Sequence, residues 1–79
     1  MASRSSNIDK IKCLMVNAYR FPELKTKIKT DFTDLYDKWQ YYREVGSNFC
    51  PRVCATFEVI YNRIIEEKKH DEYRRYLTK

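Results

Sequence analysis

The chain has 79 residues, which is enough for one domain but too few to bury a large hydrophobic core. Hydrophobic residues make up 43% of it and aromatic residues 15%, a composition that excludes an intrinsically disordered chain. The net charge of +5 favours a partner that carries negative charge, such as nucleic acid or an acidic protein. We therefore treat residues 1–79 as a single domain, for which a monomer and a homodimer are both open.

The cysteines and the apolar runs bear on where the protein is found. Cys13, Cys50 and Cys54 form an odd set without the spacing of a disulfide framework, so we expect reduced thiols. The longest apolar run near the N-terminus, residues 14–16, is too short for a signal peptide or a membrane span. The sequence predicts a cytoplasmic or nuclear protein that is neither secreted nor bound in a membrane.

A first helix is predicted to begin near Ser6, where residues 6–9 resemble a capping box, and to end near Arg20. Residues 1–5 precede it and are expected to form a flexible arm. Apolar residues recur at helical spacing within this helix: Ile8, Ile11, Leu14, Met15 and Ala18. We expect this face to pack against the rest of the chain.

The segment from Phe21 to Gly46 is predicted to form one long amphipathic helix. Pro22 suits a first helical position, and Gly46, the only glycine, suits a helix end in the left-handed conformation. The apolar residues of the segment fall in a single stripe: Leu24, Ile28, Phe32, Leu35, Trp39 and Tyr42. This helix is expected to supply the centre of the core, including the only Trp.

A turn at residues 46–48 precedes a third helix, which is predicted to begin close to Pro51. Its apolar stripe consists of Val53, Phe57, Ile60, Tyr61, Ile64 and Ile65. From Glu66 the pattern fails, so we expect core packing to stop there. Residues 66–79 then form either a charged, solvated extension of the helix or a short last turn capped by Asp71.

These elements predict an all-α fold. A short helix followed by a hairpin of two longer helices is a small three-helix bundle, either alone or as a dimer. Strands are not expected, because no segment alternates apolar and polar residues over the length of a strand.

Catalytic chemistry has little support in the sequence. The only histidine, His70, lies in a charged segment and is expected to form a solvated pair with Asp71, so we predict no enzyme and no cofactor. Cys50 and Cys54 are spaced like two zinc ligands, and Cys13 with His70 would complete a set of four. Zinc sites, however, are usually built from two close pairs, so the simpler interpretation is that the thiols pack as small apolar groups.

Basic residues form two stripes on the predicted helices. One flank of the second helix is free of acids and carries Lys25, Lys29, Tyr36, Gln40 and Arg43. On one straight helix this stripe would run about 27 Å, long enough to follow several phosphates. On the third helix, arginines recur every eleven residues: Arg52, Arg63 and Arg74. Glu67 interrupts this second stripe and can pair with Arg63. A solvated bundle surface is the simpler alternative for both stripes.

A positive surface made from both stripes favours binding to a nucleic-acid backbone without sequence readout. Double-stranded RNA suits it, because RNA duplexes are recognised through phosphates and 2′-hydroxyls. In layout, a short helix followed by two longer ones in a small basic chain is similar to the nodavirus suppressors of RNA silencing, which are helical dimers that lie along double-stranded RNA. The resemblance covers helix order and size, and it implies a dimeric, viral RNA-binding protein.

A protein-interaction or oligomerisation adaptor is the alternative function. Tyr is favoured at protein interfaces, and this chain would offer a partner Tyr41, Tyr42, Val59, Tyr61 and a tail of Tyr73, Tyr76 and Leu77. Binding to nucleic acid should weaken steeply with salt, whereas an apolar protein interface should tolerate salt. Binding to a membrane surface is less favoured, since the apolar stripes are needed for the core.

Overall fold

Helices form almost the whole of the chain, and the predicted all-α class is confirmed. The computed structural model describes the backbone of residues 2–77 and the side chains of residues 8–77. The helices are α1 (Ala2–Arg20), α2 (Pro22–Asp31), α3 (Thr33–Val45), α4 (Pro51–Glu66), α5 (His70–Tyr73) and a 3₁₀ helix (Arg74–Tyr76). No strand occurs within residues 2–77.

The first helix is longer than predicted. It begins at Ala2, not near Ser6, so residues 2–5 belong to the helix and do not form the expected arm; Met1 lies outside the described residues. The second half of its predicted stripe is confirmed by three buried residues: Leu14, Met15 and Ala18. Ile8 is 47% exposed, so the part of α1 that packs on the core begins near Ile11.

The predicted long second helix is interrupted at Phe32, which corrects the prediction of one continuous helix. Phe32 has φ −136° and ψ 63°, outside the helical region. Three hydroxyls near the break donate to the carbonyl four residues earlier, those of Thr26, Thr30 and Thr33. Such bonds bend helices, and β-branched residues also lower helix propensity. The Phe32 ring is buried, with its centroid 6.1 Å from that of Tyr73. The threonines therefore weaken the helix near Phe32, and burial of the Phe32 ring stabilises the bent conformation.

The predicted apolar stripes are buried on both sides of the break. On α2 and α3 the predicted stripe is buried at Leu24, Ile28, Phe32, Leu35 and Trp39; on α4 it is buried at Val53, Phe57, Ile60, Tyr61 and Ile64. The Trp39 ring is fully buried and meets the Phe57 ring edge-on at 4.9 Å between centroids. Ile65 is 44% exposed, so the predicted stripe of α4 is one residue too wide. α4 packs against both α3 and α1 and so lies at the centre of the molecule.

The turn between α3 and α4 is where the sequence predicts it, but Gly46 does not adopt the expected left-handed conformation. Its φ is −127°. A Cβ atom at Gly46 would lie 3.1 Å from Cys50 Sγ and 3.2 Å from the Tyr42 carbonyl oxygen. A side chain at this position would push its neighbours apart by a few tenths of an ångström, so the close approach of the two helix ends favours glycine. The predicted start of the next helix at Pro51 is confirmed.

After α4 the chain turns back onto the core. Lys68 takes the left-handed conformation with φ 57°, and the Lys69 N–H donates to the Ile64 carbonyl at 2.8 Å. The Lys68 N–H also donates, at 3.1 Å, to the Ile65 carbonyl. These are the two hydrogen bonds of a Schellman helix end, here with lysine at the position that glycine usually fills. The turn directs α5 back toward α2.

The returning segment is part of the core, which corrects the prediction that packing stops at Glu66. Three of its side chains are buried: Tyr73, Tyr76 and Leu77. Asn17 Nδ2 donates to the Tyr76 carbonyl at 2.9 Å, and this bond ties the segment to α1. The two alternatives predicted for residues 66–79 resolve into a short helix after a sharp turn; residues 78–79 lie outside the described part.

The predicted three-helix bundle is thus replaced by a more divided arrangement. The second helix is two helices, and the end of the chain adds a short helix and a 3₁₀ helix. Helix order and size do not match the layout that suggested a similarity to the nodavirus suppressors, so that similarity does not hold for the fold.

Candidate nucleic-acid interface

The break at Phe32 divides the first basic stripe between two helices. Lys25 and Lys29 lie on α2, whereas the remaining members lie on α3: Tyr36, Gln40 and Arg43. The straight stripe of about 27 Å is therefore not present. The two halves still meet, because Lys29 Nζ lies 5.9 Å from the centroid of the Tyr36 ring. That cation–π contact keeps the predicted surface continuous across the break.

Arg43 lies against aromatic rings. Its Cζ atom is 5.5 Å from the Trp39 ring centroid and 5.8 Å from that of Tyr19. Its Nη2 atom donates to Gln40 Oε1. That bond uses the acceptor of the Gln40 side chain, so the amide N–H groups of Gln40 are available to an outside acceptor. The arrangement holds the guanidinium close to the surface of the domain.

Tyr19 links three parts of the chain. Trp39 Nε1 donates to the Tyr19 hydroxyl at 2.9 Å, and this hydroxyl donates to the Asn48 carbonyl in the turn after α3. Burial raises the pKa of Tyr19 above the ordinary tyrosine value, although the Trp39 hydrogen bond and the Arg43 charge lower it. The hydroxyl therefore stays protonated and keeps its bond to the turn.

Phe49 stands next to Tyr19 on the protein surface. The two ring centroids are 5.1 Å apart with the rings tilted by 62°, and Phe49 is 52% exposed. We call the set Lys29, Tyr36, Arg43, Tyr19 and Phe49 the cation–aromatic row; Tyr36 and Arg43 are linked through the buried Trp39 ring, which both contact. Alternating cations and rings of this kind are a feature of surfaces that bind nucleic acids.

Two members of the cation–aromatic row were not predicted, namely Tyr19 and Phe49. Tyr19 follows the apolar stripe of α1, and the sequence does not show that α1 ends beside α3. For Phe49 a signal was available, because an aromatic residue directly after the polar turn at residues 46–48 has no place in either flanking stripe.

The cations of the row are not neutralised by carboxylates. Among the described side chains, the ion pairs are those of Lys27 with Glu72 at 2.9 Å and Asp31 at 3.6 Å, and of Arg63 with Glu67 at 3.2 Å. None of these pairs includes Lys29 or Arg43. Lys29 and Arg43 are therefore without a paired carboxylate among the described side chains, whereas Lys27 is paired at the junction of α2 with α5.

The second predicted stripe is not a single helical ridge. α4 ends at Glu66, so Arg74 lies on the returning 3₁₀ helix and does not continue the line of Arg52 and Arg63. Arg63 pairs with Glu67, as the spacing predicts. Arg52 is exposed, with its Cζ atom 5.6 Å from the Tyr42 ring centroid. The three arginines are thus separate surface cations.

The candidate metal ligands do not converge. Among the described residues, no group of three or more His, Cys, Asp or Glu side chains could hold a metal ion. Cys54 Sγ instead lies 3.9 Å from Met15 Sδ, and Cys50 Sγ lies 3.8 Å from the Tyr42 carbonyl oxygen.

Backbone hydrogen bonds from Val53 and Ser47 lower the pKa of the Cys50 thiol. Cys50 lines an open groove of about 250 Å³ between the end of α3 and the start of α4.

The aromatic surface proposed for a protein partner is only partly exposed. Tyr41 and Val59 are 59% and 43% exposed, as predicted. Tyr61 and the tail of Tyr73, Tyr76 and Leu77 are buried, which corrects their assignment to an exposed surface. Exposed apolar side chains instead gather at the end of α3, where Val45 is 63% exposed.

Comparisons of the chain with protein-family models, with curated proteins and with solved structures found no match. Within the described residues, no helix has both the length and the apolar character needed to cross a membrane. A function for this protein must therefore be argued from its own side chains.

Proposed function

We propose that this protein is a non-catalytic nucleic-acid-binding domain that contacts the sugar–phosphate backbone without reading base sequence. The observation that carries the proposal is the cation–aromatic row, in which Lys29 and Arg43 alternate with rings and are not paired with carboxylates. Unpaired cations bind phosphates by releasing counterions, and this term supplies most of the affinity in sequence-independent binding. Lys25, which precedes Lys29 by one helical turn, extends the positive surface along α2.

Double-stranded RNA is the favoured target. The cations of the row lie against rings of their own domain, at 5.9 Å for Lys29 and 5.5 Å for Arg43, so they have little reach into a deep groove. An RNA duplex presents a wide, shallow minor groove bordered by phosphates and 2′-hydroxyls. The Gln40 amide and the Tyr36 hydroxyl are suited to hydrogen bonds with those hydroxyls. Arg52, Arg63 and Arg74 are further surface cations outside the row, of which Arg63 is paired with Glu67.

The test is binding of a random-sequence RNA duplex, the matching DNA duplex and a single strand across a salt series. We expect the RNA duplex to bind most tightly and the affinity to fall steeply with salt. Lys29→Glu should weaken binding about tenfold at low salt and reduce the slope of log affinity against log salt by about one. Fluorescence anisotropy with labelled duplexes measures both quantities.

Lys38→Glu is the matched control. Lys38 is exposed on α3, about 200° around the helix from Tyr36, and the substitution makes the same change in net charge. It should leave the RNA affinity within about twofold of the unmodified protein, because its charge lies on the opposite flank. Equal losses in the two variants, or no binding of RNA duplex at low salt, would reject the proposal.

A protein-interaction function is the second candidate, favoured by the exposed Tyr41 and Val45 near the groove at Cys50. Such an interface, with an acidic protein or with a second copy of the chain, would persist at high salt. Measurement of the molar mass alongside RNA binding tests the homodimer.

The three cysteines are free thiols, which supports a reducing compartment such as the cytoplasm or nucleus.

A further inference from the structure

Phe49 is positioned unlike the other exposed apolar side chains. It lies at the end of the cation–aromatic row, directly after the turn that follows α3, and more than half of its surface is open to solvent. Its ring is supported by the edge-on contact with Tyr19. An exposed ring at the end of a positive surface is suited to stacking on a base, since every base has a π-face.

The ring beneath Phe49 is held by hydrogen bonds. Tyr19 is held by the hydrogen bond from the buried Trp39 indole and by its own bond to the Asn48 carbonyl, the residue before Phe49. The turn that carries Phe49 is thereby tied to α1 and α3. A ring that is already oriented loses little conformational freedom when a ligand stacks on it, which favours binding.

An unpaired base can use this ring, whereas a base inside a duplex cannot. Inside a duplex the two faces of each base are covered by the neighbouring base pairs. A base in a single-stranded extension has a free face, and its phosphate can lie near Arg43, whose guanidinium is 5.8 Å from the same Tyr19 ring. Stacking and phosphate contact would therefore act on one nucleotide.

We propose that Phe49 and Arg43 form a site for an unpaired nucleotide at the end of a bound RNA duplex, so that the preferred ligand is a duplex with a single-stranded extension. This inference rests on the proposed function, because the duplex is held by the remainder of the row. It adds a preference for extended over blunt duplexes, which contacts to the sugar–phosphate backbone alone do not produce. The site recognises the presence of an unpaired base and not its identity.

The test compares a blunt RNA duplex with the same duplex carrying a short single-stranded extension at its 3′ or 5′ end, at one fixed salt concentration. We expect the better of the two extended duplexes to bind about tenfold more tightly than the blunt one, within the range measured for one stacked base. Phe49→Ala should remove this preference, because it lowers the affinity for the extended duplex more than the affinity for the blunt one. Phe49→Trp should preserve it, because the larger ring also stacks.

Tyr41→Ala is the matched control, since Tyr41 is exposed to a similar degree but its ring packs on Tyr42, away from the row. It should retain the full preference for the extended duplex. Thermal unfolding followed by circular dichroism verifies that both alanine variants are folded.

The possible failures are distinguishable. Equal affinity of the unmodified protein for blunt and extended duplexes would overturn this inference and leave the proposed function standing. The same holds if Phe49→Ala keeps the preference, or if it weakens binding to both duplexes equally. Absence of binding to every RNA would overturn the inference and the proposed function together.

Discussion

Trp39 combines complete burial with a satisfied indole N–H. Its ring is covered by Tyr19, Tyr36 and Phe57, with centroids between 4.9 and 5.6 Å away, and its Nε1 atom donates to the Tyr19 hydroxyl. An indole N–H buried without an acceptor would cost about 1–3 kcal/mol. Tyr19 therefore supports the fold and the candidate site through the same hydroxyl.

Replacement of Trp39 tests this central position. Trp39→Ala should lower the free energy of unfolding by about 3–5 kcal/mol, because it removes a large ring that the surrounding helices cannot replace by collapsing. Urea unfolding followed by circular dichroism gives the value. Tyr41→Ala, at a ring that is 59% exposed, should change stability by less than about 1 kcal/mol. A small effect at Trp39 would show that it is not at the centre of the core.

α5 is a short helix held by polar contacts that meet at α2. Lys27 Nζ is 2.9 Å from Glu72 Oε1, and the Tyr73 hydroxyl donates to Asp31 Oδ2 at 2.7 Å. The Tyr73 ring is fully buried, and Lys27 Nζ lies 4.9 Å from its centroid. A helix this short is not stable alone, so these contacts and the burial of Tyr73 determine its position.

Tyr73 should make this element sensitive to alkali. Burial, and then the hydrogen bond to Asp31, raise the pKa of Tyr73 above the ordinary value of 10.0. Above pH 10 the unfolded chain loses this proton while the folded chain keeps it. The free energy of unfolding should therefore fall as the pH rises, by up to about 1.4 kcal/mol per pH unit for this group.

Tyr73→Phe isolates that contribution. The variant should be less stable near neutral pH, because Asp31 loses a donor, but its stability should decline less steeply between pH 10 and pH 11. Urea unfolding at several pH values measures the slope. Tyr41→Phe, which removes an exposed hydroxyl, should keep the slope of the unmodified protein. An unchanged slope in Tyr73→Phe would mean that the hydroxyl is not protected from ionisation.

For the whole molecule, the returning segment completes a core that the helices before it leave open. Tyr73 covers Phe32, and the Tyr76 ring lies 6.0 Å from that of Phe21. A chain ending at Glu67 should therefore lose cooperative thermal unfolding, since small domains have little stability to spare. A chain ending at Leu77 retains all the buried contacts described here and should unfold like the unmodified protein. Cooperative unfolding of the shorter chain would show that the segment is dispensable.

Part of the candidate site was predictable from periodicity. An angle of about 100° per residue places Lys25 and Lys29 on one flank of α2, and it places Tyr36, Gln40 and Arg43 together on α3. Tyr19 and Phe49 were not predictable, because their positions depend on the packing of α1 and of the turn beside α3. Periodicity also placed Arg74 on the wrong helix, since it cannot show that the chain reverses at Lys68.

The sequence by itself determined the all-α class, most of the buried positions and the start of α4 at Pro51. These features follow from local spacing, turn residues and the preference of apolar side chains for the interior. Only the tertiary structure decided the bend at Phe32, the return of the chain after Glu66 and the assembly of the cation–aromatic row. Each of these depends on contacts between residues far apart in the chain, whose geometry no local pattern encodes.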